Sequence, residues 1–447
     1  MTGADGRPGL APGQGDGGAG ELLARHREVL PKWLALYYAE PIELVRGEGT
    51  RVWDGAGKEY LDFFGGIVTT ISGHAVQELV DALAEQAGKI AHTSTLYLIR
   101  PMVELAEKLT GLAPIDMPAK AFFVGSGTEA VEAALLFATN WRRSNEIIAL
   151  RNSYHGRSFG AIGITGNKGW SASSFSPLNV SYALAPYCYR CPLGLKYPDC
   201  GVACAEDLQN VIETTTTGDP AAMIAEPIQG VGGFVTPPPE YFPIVKRILD
   251  EWGIPFIADE VQTGFGRTGE SFWGIESFGV RPDAIVCAKG LGNGMAIGAV
   301  VGRTDMVDSL SANSISTFGG NPIASTYALA NLKHIVDNDL QHNAHRVGKF
   351  LYEGLKELEE RYDAVGEVRG KGLMLGVELV KTSEGKEPSP EAANQVMEAS
   401  KERGLLIGRG GLYGNVLRIS PPLVITEEDA GRAIETIDAA LGEVQGR

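Results

Sequence analysis

Ala284-Ile285-Val286-Cys287-Ala288-Lys289-Gly290-Leu291-Gly292-Asn293-Gly294 runs from an apolar segment of strand length into a glycine-rich turn, with one lysine at the junction. A short apolar run of this kind reads as a buried strand. A lysine leaving such a strand is costly to keep charged and unpaired. Burial lowers the pKa of its amine and makes it a nucleophile able to form a Schiff base. The plain alternative is a lysine whose ammonium reaches solvent. The segments around it decide between the two.

Outward from this stretch, apolar segments alternate with helical ones. Strand candidates are Ala121–Val124, Ile147–Leu150, Met223–Ala225, Pro255–Ala258, Ala284–Ala288 and Ala299–Val301. Helical patterns cover Val76–Gln86, Met102–Leu109, Glu129–Thr139 and Tyr241–Trp252. This alternation predicts an α/β large domain over residues 76–330, with a mostly parallel central sheet flanked by helices. Residues 331–447 read as a smaller α+β domain. It holds a strand pair around Val365–Val380, a helix at Pro390–Arg403 and a last helix from Glu427. Residues 21–75 are expected to join that small domain, with a helix over Glu21–Tyr38 interrupted at Pro31. A β-hairpin follows from Val52 to Phe63, turning at Asp54-Gly55 or Ala56-Gly57. Residues 1–20 carry eight glycines and read as a disordered tail.

The totals narrow the function. The 447 residues carry 39 Lys and Arg against 55 Asp and Glu, a formal net charge of −16. That balance argues against nucleic acid or an anionic membrane surface as the main partner. No apolar run approaches the roughly 20 residues needed to span a bilayer. No basic segment precedes an apolar one at the N-terminus, so a cytoplasmic, soluble protein is expected. Five cysteines in so long a chain make a disulfide framework unexpected.

Several constellations stand at predicted strand ends. Phe122-Phe123-Val124-Gly125-Ser126-Gly127-Thr128-Glu129 is strand, glycine turn, then helix. The free N–H groups of a helix N-terminus can bind phosphate there. The turn fits neither the Walker nor the G-x-G-x-x-G pattern, and a tight strand-to-helix connection is the alternative. Ile257-Ala258-Asp259-Glu260-Val261-Gln262 ends an apolar strand in two acids, where ligands of open α/β sheets bind. A buried carboxylate there needs a cationic partner, either a protonated ring nitrogen or a structural arginine. Glu226 repeats the pattern on another strand. Tyr154, followed by His155, can stack on a flat ring or serve as a rim aromatic. Phosphate, ring, pyridinium and aldehyde are the parts of pyridoxal 5′-phosphate, PLP, that these four features match.

The order and spacing resemble the class III, fold-type I PLP aminotransferases, most closely the alanine–glyoxylate aminotransferase 2 branch. The resemblance runs from about residue 30 to the C-terminus. It rests on F-G-G-I-V-T at Phe64–Thr69, H-T-S-T at His92–Thr95, A-E-P-I-Q-G-V at Ala225–Val231 and I-A-D-E-V-Q-T-G-F-G-R at Ile257–Arg267. It continues through A-K-G-L-G-N-G at Ala288–Gly294, T-F-G-G-N-P at Thr317–Pro322, V-R-G-K-G-L-M-L-G at Val368–Gly376 and G-R-G at Gly408–Gly410. The resemblance implies a PLP enzyme in which Lys289 forms the Schiff base and shuttles a proton. It implies that Asp259 pairs with the pyridinium nitrogen, Gln262 with the ring hydroxyl, and that Tyr154 stacks on the ring beside His155. Ser126, Gly127 and Thr128 are implied to hold the phosphate, with Glu226 in the surrounding shell. Thr317 is implied to reach the phosphate of a neighbouring subunit in a homodimer with shared active sites. Two departures stand out: Gly125 where asparagine is common, and His74-Ala75-Val76 in place of G-H-x-H-P.

Arg418, in N-V-L-R-I-S-P-P, matches the arginine that grips the substrate α-carboxylate in many relatives; its fork suits that group. Arg157 stands where GABA aminotransferases hold a distal carboxylate. Val231 stands where ornithine and GABA aminotransferases place a glutamate that masks the carboxylate arginine. An unmasked Arg418 suits alanine or a β-amino acid as donor, and glyoxylate or pyruvate as acceptor, in a ping-pong transamination. The alternatives are a GABA- or ornithine-type ω-aminotransferase, or a class III decarboxylase or racemase. Separately, Cys188, Cys191, Cys200 and Cys204 fall in a proline-rich insert at 186–207. Four thiolates so spaced admit a zinc or an iron–sulfur site, with free thiols as the alternative.

Overall fold

The computed structural model describes residues 19–445. The tail expected over residues 1–20 lies outside them, apart from Ala19 and Gly20, which open a helix at Ala19–Val29. That helix stops two residues before Pro31 and does not resume towards Tyr38. Proline lacks the N–H the helix would need and crowds the residue before it.

Three short strands follow: β1 (Leu44–Glu48), β2 (Arg51–Asp54) and β3 (Glu59–Asp62). β2 and β3 are the expected hairpin. Asp54 closes its turn, its Oδ1 accepting from the N–H of Ala56 at 3.0 Å and of Lys58 at 2.9 Å. β1 was not legible in the sequence, because its residues are mostly exposed and do not alternate.

The central sheet uses β4 (Ala119–Val124), β5 (Glu146–Leu150), β6 (Asn179–Ala183), β7 (Ala222–Ala225), β8 (Phe256–Asp259), β9 (Ala284–Cys287) and β10 (Gly298–Arg303). Their order is β4-β10-β9-β8-β7-β5-β6. β10 runs antiparallel to both neighbours, and the other four pairings are parallel. Successive residues face opposite sides. Ile148, Met223, Ala258 and Ile285 enter one apolar cluster; Ile147, Ile224, Ile257 and Val286 enter another. Every residue of β7, β8 and β9 is buried, which is why these strands read as unbroken apolar runs. The helix Gly127–Arg142 lies on one face and packs through small residues, Ala130, Ala134 and Ala138 among them. The helix Tyr241–Trp252 covers the other face with Phe242, Val245 and Leu249.

The C-terminal part supplies β11 (Val365–Lys371), β12 (Met374–Leu379), β13 (Leu405–Leu406), β14 (Gly408–Gly410) and β15 (Val416–Ile419). β11, β12, β15 and β14 form an antiparallel sheet in that order. β13 adds in parallel to β3, Leu405 opposite Leu61, so the N-terminal hairpin is tied to the C-terminal segment. The fold is mixed α/β, with helices around its sheets, as the alternation of apolar and helical segments predicts. No helix among the described residues is long and apolar enough to cross a membrane.

Candidate active site

Because β4, β5, β7, β8 and β9 run the same way, their carboxyl ends share one edge of the sheet. A cavity of about 1380 Å³, counting its part open to solvent, opens there. It brings together Ser126, Gly127, Thr128, Tyr154, His155, Arg157, Glu226, Asp259, Gln262, Lys289 and Arg418. Thr317 is the exception among the anticipated cofactor residues: it is exposed and does not line the cavity of its own chain.

Lys289 leaves β9 with a positive φ of 36°, and the turn behind it is pinned by side chains. Asn331 Nδ2 donates to the carbonyls of Gly290 at 2.7 Å and Leu291 at 3.1 Å. Burial lowers the Lys289 pKa to about 8; the Arg418 cation adds to this, against Asp259 and Glu226. Near neutral pH a useful fraction of Nζ is therefore the free amine.

Asp259 ends β8, buried. Its Oδ2 lies 2.7 Å from His155 Nδ1, and its Oδ1 accepts from the Val261 N–H at 3.2 Å. These contacts leave the carboxylate with acceptor capacity to spare. His155 Nε2 and Gln262 Oε1 are both buried without a protein partner. Glu226 is held from two sides, accepting from the N–H of Tyr154 at 3.0 Å and of Gly230 at 2.8 Å. Burial raises its pKa to about 7, with His155 opposing and Asp259 adding. Tyr154 is half-buried and meets the edge of Trp170 at 5.4 Å.

Ser126 caps the helix Gly127–Arg142, its Oγ accepting from the Glu129 N–H at 3.3 Å. The N–H groups of Gly127 and Thr128 precede the first internal bond of that helix, from Ala130 N–H to Ser126 O. The Thr128 hydroxyl is engaged within the protein, accepting from the N–H of Arg157 at 3.1 Å and of Ser158 at 3.2 Å. Glu129 folds back so that Oε2 accepts from the Gly125 N–H at 2.7 Å. An added Cβ at 125 would fall 2.9 Å from that carboxylate, the far end of a flexible side chain that could move aside.

Arg418 stands on β15, only 2% exposed, with its guanidinium 5.1 Å from the Phe64 ring and 5.0 Å from the Phe234 ring. Its Nε and one terminal nitrogen are buried without partners. The cavity's outer wall includes Tyr37, stacked on Phe64 at 5.5 Å, and Trp170. Neither was anticipated. Tyr37 lay in a stretch read as helix, and no motif surrounds Trp170.

The family model for class III aminotransferases matches residues 37–441. The chain belongs to that family. The enzyme is 39% identical to the mitochondrial alanine–glyoxylate aminotransferase 2 homolog 2 of Arabidopsis thaliana, over 95% of this chain and 87% of that protein. It is 40% identical to a leucine/methionine racemase of Thermococcus litoralis, over 95% and 96%. It also resembles an amine transaminase from an uncultivated Pseudomonas species, solved with PLP bound, at 31% identity and a TM-score of 0.86, over 93% and 98%. The enzyme is thus a PLP-dependent transaminase, and its cavity fits the cofactor. It offers an amine of lowered pKa, a carboxylate with spare acceptor capacity, a buried amide oxygen without a partner and a free helix N-terminus.

Of the two readings of the cysteine spacing, the metal centre is not assembled among the described residues. Cys188, Cys191, Cys200 and Cys204 do line one small cavity, and all are free thiols. Yet among the described residues no group of three or more His, Cys, Asp or Glu is placed to hold a metal ion. Burial, with the neighbouring thiols adding, pushes Cys188 up to about 11 and Cys204 up to about 12, so they stay protonated. The segment also has more structure than its composition suggested: a 3₁₀ turn at Cys188–Arg190 and a helix from Ala203 that contains Cys204.

Proposed function

We propose that the enzyme moves an amino group from a small amino acid, alanine or a β-amino acid, to an α-keto acid such as glyoxylate or pyruvate by a ping-pong mechanism. The observation that carries this reading is the open state of Arg418. Its buried guanidinium has two nitrogens without partners, and the residue after the Q-G pair, Val231, supplies no acid to mask them. A carboxylate entering there gains a charge-assisted pair in a desolvated site.

The residues divide the work. Ser126, Gly127 and Thr128 would take the PLP phosphate, chiefly through the backbone at the helix start. Asp259, oriented by His155, would hold the ring nitrogen; Gln262, whose Oε1 is buried without a partner, would hydrogen-bond the ring hydroxyl, and Tyr154 would cover the ring. PLP, when bound, supplies an aldehyde carbon and a ring that withdraws electrons from the substrate Cα. Lys289 Nζ is the protein's nucleophile and then its proton carrier at that carbon. Arg418 fixes the carboxylate so that the Cα proton faces Nζ. Arg157, exposed at the rim, is assigned to substrate binding.

We further place the active unit as a homodimer. Leu98 is fully exposed, and Leu96, Tyr97, Ile315 and Phe318, the last two near Thr317 in the chain, are largely exposed; apolar side chains left in water in this way suit an interface with a second copy. In the dimer Thr317 would complete the partner's phosphate site. Comparing kcat/KM for L-alanine and GABA tests the substrate reading: alanine should be preferred at least about tenfold. A preference for GABA or ornithine would overturn it. A racemase reading, favoured by the Thermococcus litoralis relative, predicts D-amino acid formation without any keto acid.

A further inference from the structure

Arg369 and Glu378 lie outside the cavity, yet both are almost fully buried, at 7% and 0% exposed. Arg369 aims its fork at one backbone carbonyl: Nε lies 3.0 Å and Nη2 2.8 Å from Gly233 O. Its Nη1 donates to Glu378 Oε2 at 2.7 Å and also to Glu367. Gly233 ends the turn that carries Val231 into the cavity. Its φ of +99° and the nearness of Val416 and Gly411, 2.9 Å and 3.0 Å from an added Cβ, allow no other residue there. The same turn is tied to the strand beside Arg418, since Val231 O accepts from the Gly411 N–H at 3.0 Å.

The register relates this pair to Arg418. Glu378 stands opposite Val416, and Gly376 opposite Arg418, so all four occupy one face of the β12–β15 ladder. Gly376 leaves room for Gly233 O, which would sit 3.0 Å from a Cβ at that position. Carboxylate arginine, Val231 turn and Arg369 thus form one packed unit. Glu378 is the acceptor at its centre. It also accepts from Tyr187 Oη, from Arg190 Nε at 2.5 Å and from Asn415 Nδ2 at 3.4 Å. Tyr187 and Arg190 flank Cys188 in the cysteine-rich segment. Burial alone would raise the Glu378 pKa, but Arg369 and the other donors more than offset it and keep the carboxylate ionised. A buried charge with this many partners is fixed in place; losing one leaves the rest uncompensated.

We propose that Arg369 and Glu378 are positioning residues for the substrate-carboxylate pocket, and that the cysteine-rich segment braces them from outside through Tyr187 and Arg190. The proposal rests on the reading that Arg418 receives the carboxylate. It gives the segment a role that needs no metal. None of the four residues lines the Lys289 cavity, so cofactor binding is left intact when they change.

The test compares Arg369→Lys, Arg190→Met and Tyr187→Phe with Arg418→Met, all as PLP-loaded enzyme. Calorimetry gives the Kd for propionate, a carboxylate that carries no amine and does not react. Steady-state kinetics with alanine gives kcat and KM separately. Arg369→Lys, which keeps the charge and loses the fork, should weaken propionate and raise KM about tenfold, with kcat and visible absorbance retained. Arg190→Met and Tyr187→Phe should do the same to a lesser degree, and they carry the test if Arg369→Lys does not fold. If Arg418→Met weakens propionate and the other variants do not, the positioning proposal is overturned. A lower thermal midpoint with unchanged propionate binding overturns it equally, as a purely structural role. If Arg418→Met leaves propionate binding unchanged, the carboxylate reading fails and takes the proposal with it.

Discussion

At the scale of single residues, the site is governed by what burial does to charge. The Lys289 ammonium is disfavoured by burial and by Arg418, which together bring its pKa to about 8. Raising the pH through that value frees the amine. Uptake of PLP by the cofactor-free enzyme should therefore speed up with pH and level off above about 8. Arg418→Met removes a positive neighbour, favours the ammonium and should move this profile to higher pH; stopped-flow absorbance measures both. A profile unmoved by Arg418→Met, or moved to lower pH, would contradict the electrostatic account. His155 is the side chain that fixes Asp259 at 2.7 Å. His155→Phe should weaken PLP binding about tenfold, because a buried carboxylate loses a hydrogen-bond partner. Fluorescence titration with PLP reads this, and unchanged affinity would count against the role given to the pair.

At the scale of elements, the turns behind the strand ends are built to backbone contact. A Cβ at Gly292, just past Lys289, would fall 2.1 Å from the Met295 carbonyl oxygen, which cannot step aside. Gly292→Ala should cost about 1–3 kcal/mol and lower the thermal midpoint. Gly88→Ala, in the helix Gln77–Lys89 with nothing within 4 Å of the new Cβ, should instead be neutral or stabilising by up to about 1 kcal/mol. The opposite ranking would mean that the turn has slack the geometry denies. The sheet was legible in the sequence because β7, β8 and β9 are buried on both faces, which leaves continuous apolar runs bounded by turns. β6 was not: it lies at the sheet edge, and its N-V-S-Y-A sequence is mostly half-exposed. The cavity was legible where motifs end strands, as at Asp259 and Lys289. Walls contributed by distant segments, Tyr37 and Trp170, carry no local pattern. The cysteine spacing suggested ligands, but spacing along the chain does not fix how sulfurs converge in space.

At the scale of the whole molecule, one chain lines its own cavity with every anticipated cofactor residue but Thr317. Replacing Phe318 or Leu98 with aspartate should split the proposed dimer, measured by sedimentation, and lower PLP retention with it. A parent enzyme that sediments as a monomer, or a dimer that survives both changes, would contradict this interface. The central claim is that this transaminase takes a small α-amino acid at Arg418 and hands its amino group to a keto acid. One measurement tests it most directly: the visible absorbance of the PLP-loaded enzyme on addition of L-alanine, and then of glyoxylate. The account predicts that alanine bleaches the visible band, that glyoxylate restores it, and that glycine appears in equal amount. A band untouched by alanine but bleached by GABA or ornithine, or D-alanine formed with no keto acid present, would contradict it.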